Sequence, residues 1–126
     1  MKRVLFIILC ISAILNQNSA ANRSHYVSVN TLNFDAQING VQPGDTILLE
    51  SGNRRNMRIS NIQGDSIHKI IVTNSGGEVI IENDNWHFGF VLSNCKYFRL
   101  TGSTDNTEKY GIRILKTGKG ANGLSI

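Results

Sequence analysis

Beyond residue 21 the chain alternates short apolar runs with polar turns, and no long segment repeats apolar residues with the period of an amphipathic helix. β-branched and aromatic residues dominate the runs, and Gly, Asn, Asp and Ser bound them, which is typical of strands. The pattern therefore predicts an all-β protein. The predicted strands are "TILLE" from residue 46, "MRISNI" from 57, "KIIVTN" from 69, "EVIIEN" from 78, "FGFVLSN" from 88, "YFRLTG" from 97, "YGIRILK" from 110 and "GLSI" from 123.

Alternate runs lie about 19 to 26 residues apart. Such a period is typical of a coil that returns to the same face once per turn, with each rung stacked on the rung below. An antiparallel sandwich would also place strands every 8 to 12 residues or so. The Gly76-Gly77 pair between two runs could close a hairpin of such a sandwich. Spacing alone leaves both architectures open.

Alternation along the runs separates inward from outward side chains. Lys69, Arg99 and Arg113 are predicted to face solvent. Four apolar residues break the alternation and would need a second covered face, namely Leu48, Ile71, Ile80 and Leu115. The predicted inward residues are Ile47, Leu49, Ile59, Ile70, Val72, Val79, Ile81, Phe90, Leu92, Phe98, Leu100, Ile112 and Ile114.

Asparagine is abundant at the ends of the predicted strands, where its tolerance of left-handed backbone suits tight bends. Asn74 and Asn94 each end a strand and lie 20 positions apart, so they could stack as a side-chain ladder. Unrelated surface turns would give the same pattern. Both interpretations stay open.

The first 21 residues have the layout of a secretory signal peptide. Lys2 and Arg3 precede an apolar run over residues 4–15, and small residues at Ser19 and Ala21 provide a cleavage site. The apolar run is shorter than the roughly 20 residues that a membrane-spanning helix needs. We therefore expect a secreted or cell-surface protein without a membrane span, whose single domain covers residues 22–126.

Removal of the signal peptide changes the charge and leaves one thiol. Eleven basic residues then face nine acidic ones, because Lys2 and Arg3 are lost, and so small an excess predicts no nucleic-acid partner. Cys95 is the one cysteine that remains, so an internal disulfide is not possible. The thiol is expected to be a small buried residue rather than a nucleophile, since no base lies beside it in the sequence.

Five segments together resemble the N-terminal rungs of right-handed parallel β-helix proteins of the pectin-lyase-like superfamily. They are "GVQPGDTILLESG", "MRIS", "KIIVTNSGGEVIIEN", "FGFVLSNCKYFRLTG" and "YGIRILKTGKGANGLSI", and the resemblance covers roughly residues 29 to 126. It implies an all-β, right-handed parallel β-helix. In this fold Pro43, Gly44 and Asp45 would turn the chain into the first rung of a stack.

The same resemblance implies extracellular carbohydrate chemistry. Lyases of this kind act on acidic polysaccharides, neutralise a uronate carboxylate, often with Ca²⁺, and abstract a proton with Lys or Arg; other members are hydrolases or adhesins. We expect a secreted module that binds or cleaves carbohydrate in its full-length form. The alternative is a non-enzymatic, adhesin-like interaction protein, because a fold alone does not fix function.

The final run, "GLSI", ends the chain without a polar cap. An uncapped rung exposes apolar side chains and an unpaired strand edge, which favours association with another chain. We therefore expect a fragment that is inactive by itself and that could associate with itself through its last rung.

Candidate site residues lie between and along the later strands. Glu82 and Asp84 offer carboxylates for Ca²⁺, although an ordinary polar turn carries the same residues. Trp86 offers a flat apolar face for a sugar ring. A basic strip formed by Arg99, Arg113 and Lys116 could bind a polysaccharide, including an acidic one. The simpler explanation is that these side chains lie on solvent-exposed strand faces. The sequence identifies no catalytic residue.

Overall fold

A computed structural model describes residues 22–84, 87–102 and 110–126. These residues form nine β-strands and no helix, which confirms the predicted all-β class. The predicted signal peptide lies outside them. The strands are β1 (Ser24–Val27), β2 (Asn33–Asp35), β3 (Thr46–Arg54), β4 (Met57–Ser60), β5 (Ile70–Glu82), β6 (Phe88–Ser93), β7 (Phe98–Leu100), β8 (Ile112–Lys116) and β9 (Asn122–Ser125).

Every strand pair in the described part of the chain is parallel. One sheet has the order β1-β3-β5-β7, with β8 also paired to β5, and the other has the order β2-β4-β6-β9. The antiparallel sandwich is therefore excluded for these residues. Gly76 and Gly77, with φ values of 78° and 132°, lie inside β5 and close no hairpin.

A register shift between Glu50 and Gly52 divides the first sheet into two stacks of strand segments. The first stack comprises β1, residues 46–50, residues 70–75 and β7. The second stack comprises residues 52–54, residues 79–82 and β8. The other sheet, β2-β4-β6-β9, forms a third stack. Partners lie 22 positions apart at Ser24 and Thr46 but 34 apart at Phe88 and Asn122. This range is wider than the predicted period, because the turns between stacks differ in length.

Inward side chains from all three stacks form one apolar core. Of the predicted inward residues, those in β3 to β6 are buried, while those in the last strands are half-buried and pack against the core; the latter are Phe98, Leu100, Ile112 and Ile114. The core also contains residues that the alternation does not predict, namely Val27, Phe34, Ala36, Val41, Met57 and Ile62.

The apolar residues that break the alternation lie in outward rows of the sheets. Neighbouring strands in a row stand about 4.8 Å apart, so their side chains shield one another without a second layer. Leu48, for example, is half-buried between its register partners Tyr26 and Thr73. The others are Ile71 and Ile80, which are half-buried, and Leu115, which is exposed. The three residues predicted to face solvent are exposed as expected: Lys69, Arg99 and Arg113.

The sequence pattern does not predict β1 and β2, the strands that begin the two sheets. Each has one buried residue, Val27 in β1 and Phe34 in β2. A strand with one buried apolar side chain shows no apolar alternation, so the pairing of β1 with β3 and of β2 with β4 is the feature that reveals these strands.

A ladder of polar side chains follows the third stack. Asn94 Nδ2 donates to Asn61 Oδ1 at 2.7 Å, and Asn61 Nδ2 donates to Asp35 Oδ2 at 2.8 Å. Both asparagines have left-handed backbone, with a φ of 58° at Asn61 and of 53° at Asn94. The predicted pairing of Asn74 with Asn94 is wrong, because Asn74 is buried in the first stack, where its amide donates to Gly77 O.

Candidate functional site

The predicted basic strip is divided between two stacks. Arg99 lies in β7 beside Ile71, in the first stack, whereas Arg113 and Lys116 lie in β8, in the second stack. Both strands pair with β5, but β7 pairs with residues 70–72, before its two central glycines, and β8 pairs with residues 79–82, after them. The structure therefore brings Arg113 and Lys116 together and leaves Arg99 on a separate face.

The two cations of β8 have carboxylate partners. Arg113 Nη1 donates to both carboxylate oxygens of Glu78, at 3.0 and 3.2 Å. Lys116 forms an ion pair with Asp84, and this carboxylate raises the pKa of the lysine through a hydrogen bond and through charge attraction. Because the positive charges are paired, this face attracts an acidic polymer less than the sequence implies.

The candidate metal ligands lie at the end of β5. Glu82 is exposed and in register with Lys116, and Asp84 is the carboxylate that pairs with that lysine. Within the described ranges, no group of three or more His, Cys, Asp or Glu side chains is arranged to hold a metal ion. Calcium binding at Glu82 and Asp84 stays a prediction, and Trp86 lies outside the described residues.

A groove of about 590 Å³ lies where the first stack ends, at the register shift of β3 and beside the glycines of β5. Three consecutive strands of the first sheet contribute to it. We call it the Tyr26 groove, and its lining residues are Tyr26, Val27, Ser28, Glu50, Ser51, Ser75 and Gly76.

An exposed aromatic ring stands at one side of the Tyr26 groove. Tyr26 points outward from β1 and is 73% exposed, which leaves most of its ring accessible. Its neighbour Val27 points inward and is buried, so the backbone that carries the ring is anchored in the core. The ring is therefore an accessible apolar surface on an anchored strand, next to polar groups, the arrangement in which Tyr recognises amphipathic ligands.

A carboxylate also lines the groove. The backbone N–H of Val29 donates to Glu50 Oε2 at 2.7 Å. This hydrogen bond, followed by one from the Ser28 hydroxyl, lowers the pKa of Glu50, so its carboxylate is ionised at neutral pH. Glu50 is thus held in place while its carboxylate can accept further hydrogen bonds.

Hydroxyl groups complete the polar lining. Ser51 Oγ donates to Gly76 O at 3.1 Å, and Ser75 is the register partner of Glu50. Gly76 has a φ of 78°, a left-handed conformation that any larger residue would adopt only with strain, so the backbone of this wall favours glycine. The groove therefore combines an aromatic face, an anionic acceptor and hydroxyls in one open depression.

The Pro-Gly-Asp turn has a structural role outside this groove. Asp45 is buried, and it accepts hydrogen bonds from the backbone N–H groups of Gln42 and Arg23 at 2.9 and 3.0 Å, with His25 Nε2 at 2.8 Å. Burial acts to raise the pKa of Asp45, but these hydrogen bonds and the nearby His25 outweigh it and lower the pKa. Asp45 thereby ties the turn before β3 to β1. Because β1 precedes this turn and pairs with β3, the prediction that the turn leads into the first rung is wrong.

Cys95 is half-buried beside the core and pairs with no second cysteine among the described residues. Its thiol donates to Ser93 O at 3.3 Å. Burial raises the pKa of Cys95, which keeps the thiol protonated and unreactive at neutral pH. This agrees with the small packed residue that the sequence predicts.

Comparisons with family models, with curated proteins and with solved structures gave no match to this chain. The residues described above contain no helix that is long and apolar enough to cross a membrane. Side-chain chemistry is therefore the basis for assigning a function, and the Tyr26 groove brings an aromatic ring, a carboxylate and hydroxyls together in one depression.

Sequence reasoning missed the Tyr26 groove. Its lining comes from residues 26–28, 50–51 and 75–76, which only the strand register brings together. One signal was present in the sequence, since Glu50 and Ser51 directly precede Gly52, where the strand loses its alternation. Tyr26 carried no signal, because β1 was not predicted.

Proposed function

We propose that the three stacks are the faces of a right-handed parallel β-helix. The chain passes through the first, second and third stacks in the same order over residues 46–60, 70–93 and 98–125, as a coil requires. Parallel strands connected by a crossover are right-handed in about 98% of cases. This winding agrees with the resemblance to pectin-lyase-like proteins.

On this scaffold, the protein is proposed to be a secreted module that binds polysaccharide. The observation that carries this proposal is the Tyr26 groove, whose lining includes both an exposed aromatic ring and the carboxylate side chain of Glu50. Sugar rings have an apolar face that packs on aromatic rings and hydroxyls that hydrogen-bond to carboxylates and serines. Secretion is supported by the layout of residues 1–21.

The groove favours binding over cleavage. Glycoside hydrolysis uses two carboxyl groups about 5 to 9.5 Å apart, and Glu50 is the one carboxylate among the described residues that line the groove. The lyases that this chain resembles use a Lys or Arg base at the sugar, and the same lining has neither. Cleavage in a longer form of the protein would therefore use another surface.

Affinity electrophoresis of the purified chain in gels that contain polysaccharides tests the proposal. We expect retardation by at least one polysaccharide and its loss in Tyr26→Ala. Tyr97→Ala is the matched control, because Tyr97 is also exposed but lies beside Ile70, at the opposite end of the first stack from Ser75. No retardation by any polysaccharide contradicts carbohydrate binding.

A second candidate function, association of copies of the chain with one another, is favoured by the last strands. A hollow of about 260 Å³ opens between them, lined by apolar side chains that include Leu100, Ile112, Ile114 and Leu124. Leu124 is 45% exposed. Sedimentation tests this proposal: we expect a concentration-dependent dimer that Leu124→Lys abolishes, and a monomer at all concentrations contradicts it.

A further inference from the structure

We infer that the Tyr26 groove binds uncharged sugar units and discriminates against uronates, with the Tyr26 ring as the stacking surface and the Glu50 carboxylate as the hydrogen-bond acceptor. This inference rests on the proposed carbohydrate binding and specifies its ligand class. It differs from the acidic polysaccharide that the basic residues of the sequence imply.

Charge within the groove is the first reason. The Glu50 carboxylate is held by the N–H of Val29 at 2.7 Å and lies in the groove lining. A sugar hydroxyl donates to such a carboxylate, whereas a uronate carboxylate at the same place meets a like charge and has no proton to donate. The groove is therefore expected to bind sugar hydroxyls favourably and to repel sugar carboxylates.

Among the described residues, no cation offers a hydrogen-bond donor inside the groove. The charge of Arg54 helps to lower the pKa of Glu50, but the Arg54 side chain is buried and donates to the backbone oxygens of Glu50 at 2.9 Å and Thr31 at 3.3 Å, so it is not available to a ligand. Arg113 and Lys116 lie in the second stack with their own carboxylate partners. No Lys or Arg belongs to the described lining of the groove, so a uronate finds no counter-charge there.

Shape is the second reason. The Tyr26 ring is 73% exposed, so an apolar ring face can approach it without displacing protein. The volume of about 590 Å³ lies within the range of about 300 to 1,000 Å³ that ligand sites occupy. An open groove of this size accommodates sugar units of a chain that continues beyond it on either side.

Calorimetric titration of the purified chain separates the possibilities. The neutral ligands are soluble β-glucan, xylan and mannan, and the charged ones are polygalacturonate and alginate, each at low and high salt. We expect at least one neutral polymer to bind with little dependence on salt and the uronate polymers to bind at least about tenfold more weakly.

Two variants locate the effect. Tyr26→Ala is expected to weaken neutral-polymer binding about tenfold, while Tyr97→Ala leaves it unchanged. Glu50→Gln keeps the side-chain size and removes the charge, so it is expected to narrow the difference between neutral and uronate polymers. Circular dichroism checks that each variant is folded. If Glu50→Gln is unfolded, Tyr26→Ala still tests the site, because Tyr26 is exposed and its replacement is not expected to disturb the fold.

The outcomes distinguish this inference from the proposed function. Uronate polymers that bind as tightly as neutral ones, or more tightly, would overturn the inference and leave carbohydrate binding standing. Neutral binding that is unchanged in Tyr26→Ala would overturn the location. Absence of binding to every polymer contradicts the proposed function, and the inference fails with it.

Discussion

The middle and the last strands of the same stacks bury equivalent side chains to different extents. Ile81 in β5 and Ile114 in β8 are register partners that both point inward. Ile81 is fully buried and has strand neighbours on both sides, whereas Ile114 is half-buried and borders the hollow beside β9. Burial of an inward residue thus depends on a neighbouring layer above and below it, not on its own sequence.

The largest expected effect tests this difference directly. Ile81→Ala leaves a cavity between two strands and should lower the free energy of unfolding by about 4 kcal/mol, whereas Ile114→Ala should cost about 1 to 2 kcal/mol. Both variants remove the same atoms from the same stack. Urea denaturation measures the two values, and equal costs would mean that the last strands are packed as tightly as the middle ones.

A second comparison sets two aspartates with histidine partners against each other. Asp45 is 1% exposed and Asp65, which pairs with His68, is 49% exposed. Asp45→Asn removes a charge that accepts two backbone hydrogen bonds and contacts His25, and should cost about 2 kcal/mol. Asp65→Asn should change stability much less, because its hydrogen bonds are open to water.

The buried Asp45 also predicts how the stability of the fold depends on pH. The pKa of Asp45 is lower in the folded than in the unfolded protein, so this residue stabilises the fold above its unfolded pKa of about 3.9. That contribution is lost as the pH falls from there through the folded pKa. Denaturation midpoints between pH 7 and pH 2 should therefore decline less steeply in Asp45→Asn than in the unchanged protein; parallel curves would contradict the role of Asp45.

The smallest expected effect concerns the polar ladder of the third stack. Asn61→Gly keeps the left-handed backbone but removes the side chain that joins Asp35 to Asn94, and should cost about 1 kcal/mol. A double-mutant cycle with Asn94→Gly should give a coupling energy of about 0.5 kcal/mol or more. Strictly additive costs would show that the ladder is a contact without energetic consequence.

Sequence periodicity predicted the strands whose inward residues recur, because burial on one face imposes alternation. It did not reveal β1, which has one buried residue, Val27. It also offered Asn74 and Asn94, 20 positions apart, as one possible ladder beside unrelated turns, whereas the ladder joins Asn61 to Asn94, 33 positions apart. The turns between strands differ in length, and the alternation of apolar residues within one strand gives no information on those lengths.

The candidate site was less predictable for the same reason. Arg113 and Lys116 were identified as exposed cations, but their partners Glu78 and Asp84 became evident only from the pairing of β5 with β8 and from the turn that follows β5. The Tyr26 groove required the register of three strands. Exposure follows from alternation within one strand, while charge pairing and groove shape follow from how strands are placed side by side.

Parallel, in-register stacking of β3 on β5 is the central claim, and backbone nuclear Overhauser contacts measure it most directly. The structure predicts that Thr46 contacts Ile71 and that Glu50 contacts Ser75, with the partners advancing in the same direction. A series in which Thr46 instead lies opposite Ser75 and Glu50 opposite Ile71, with close Hα–Hα pairs, would contradict it.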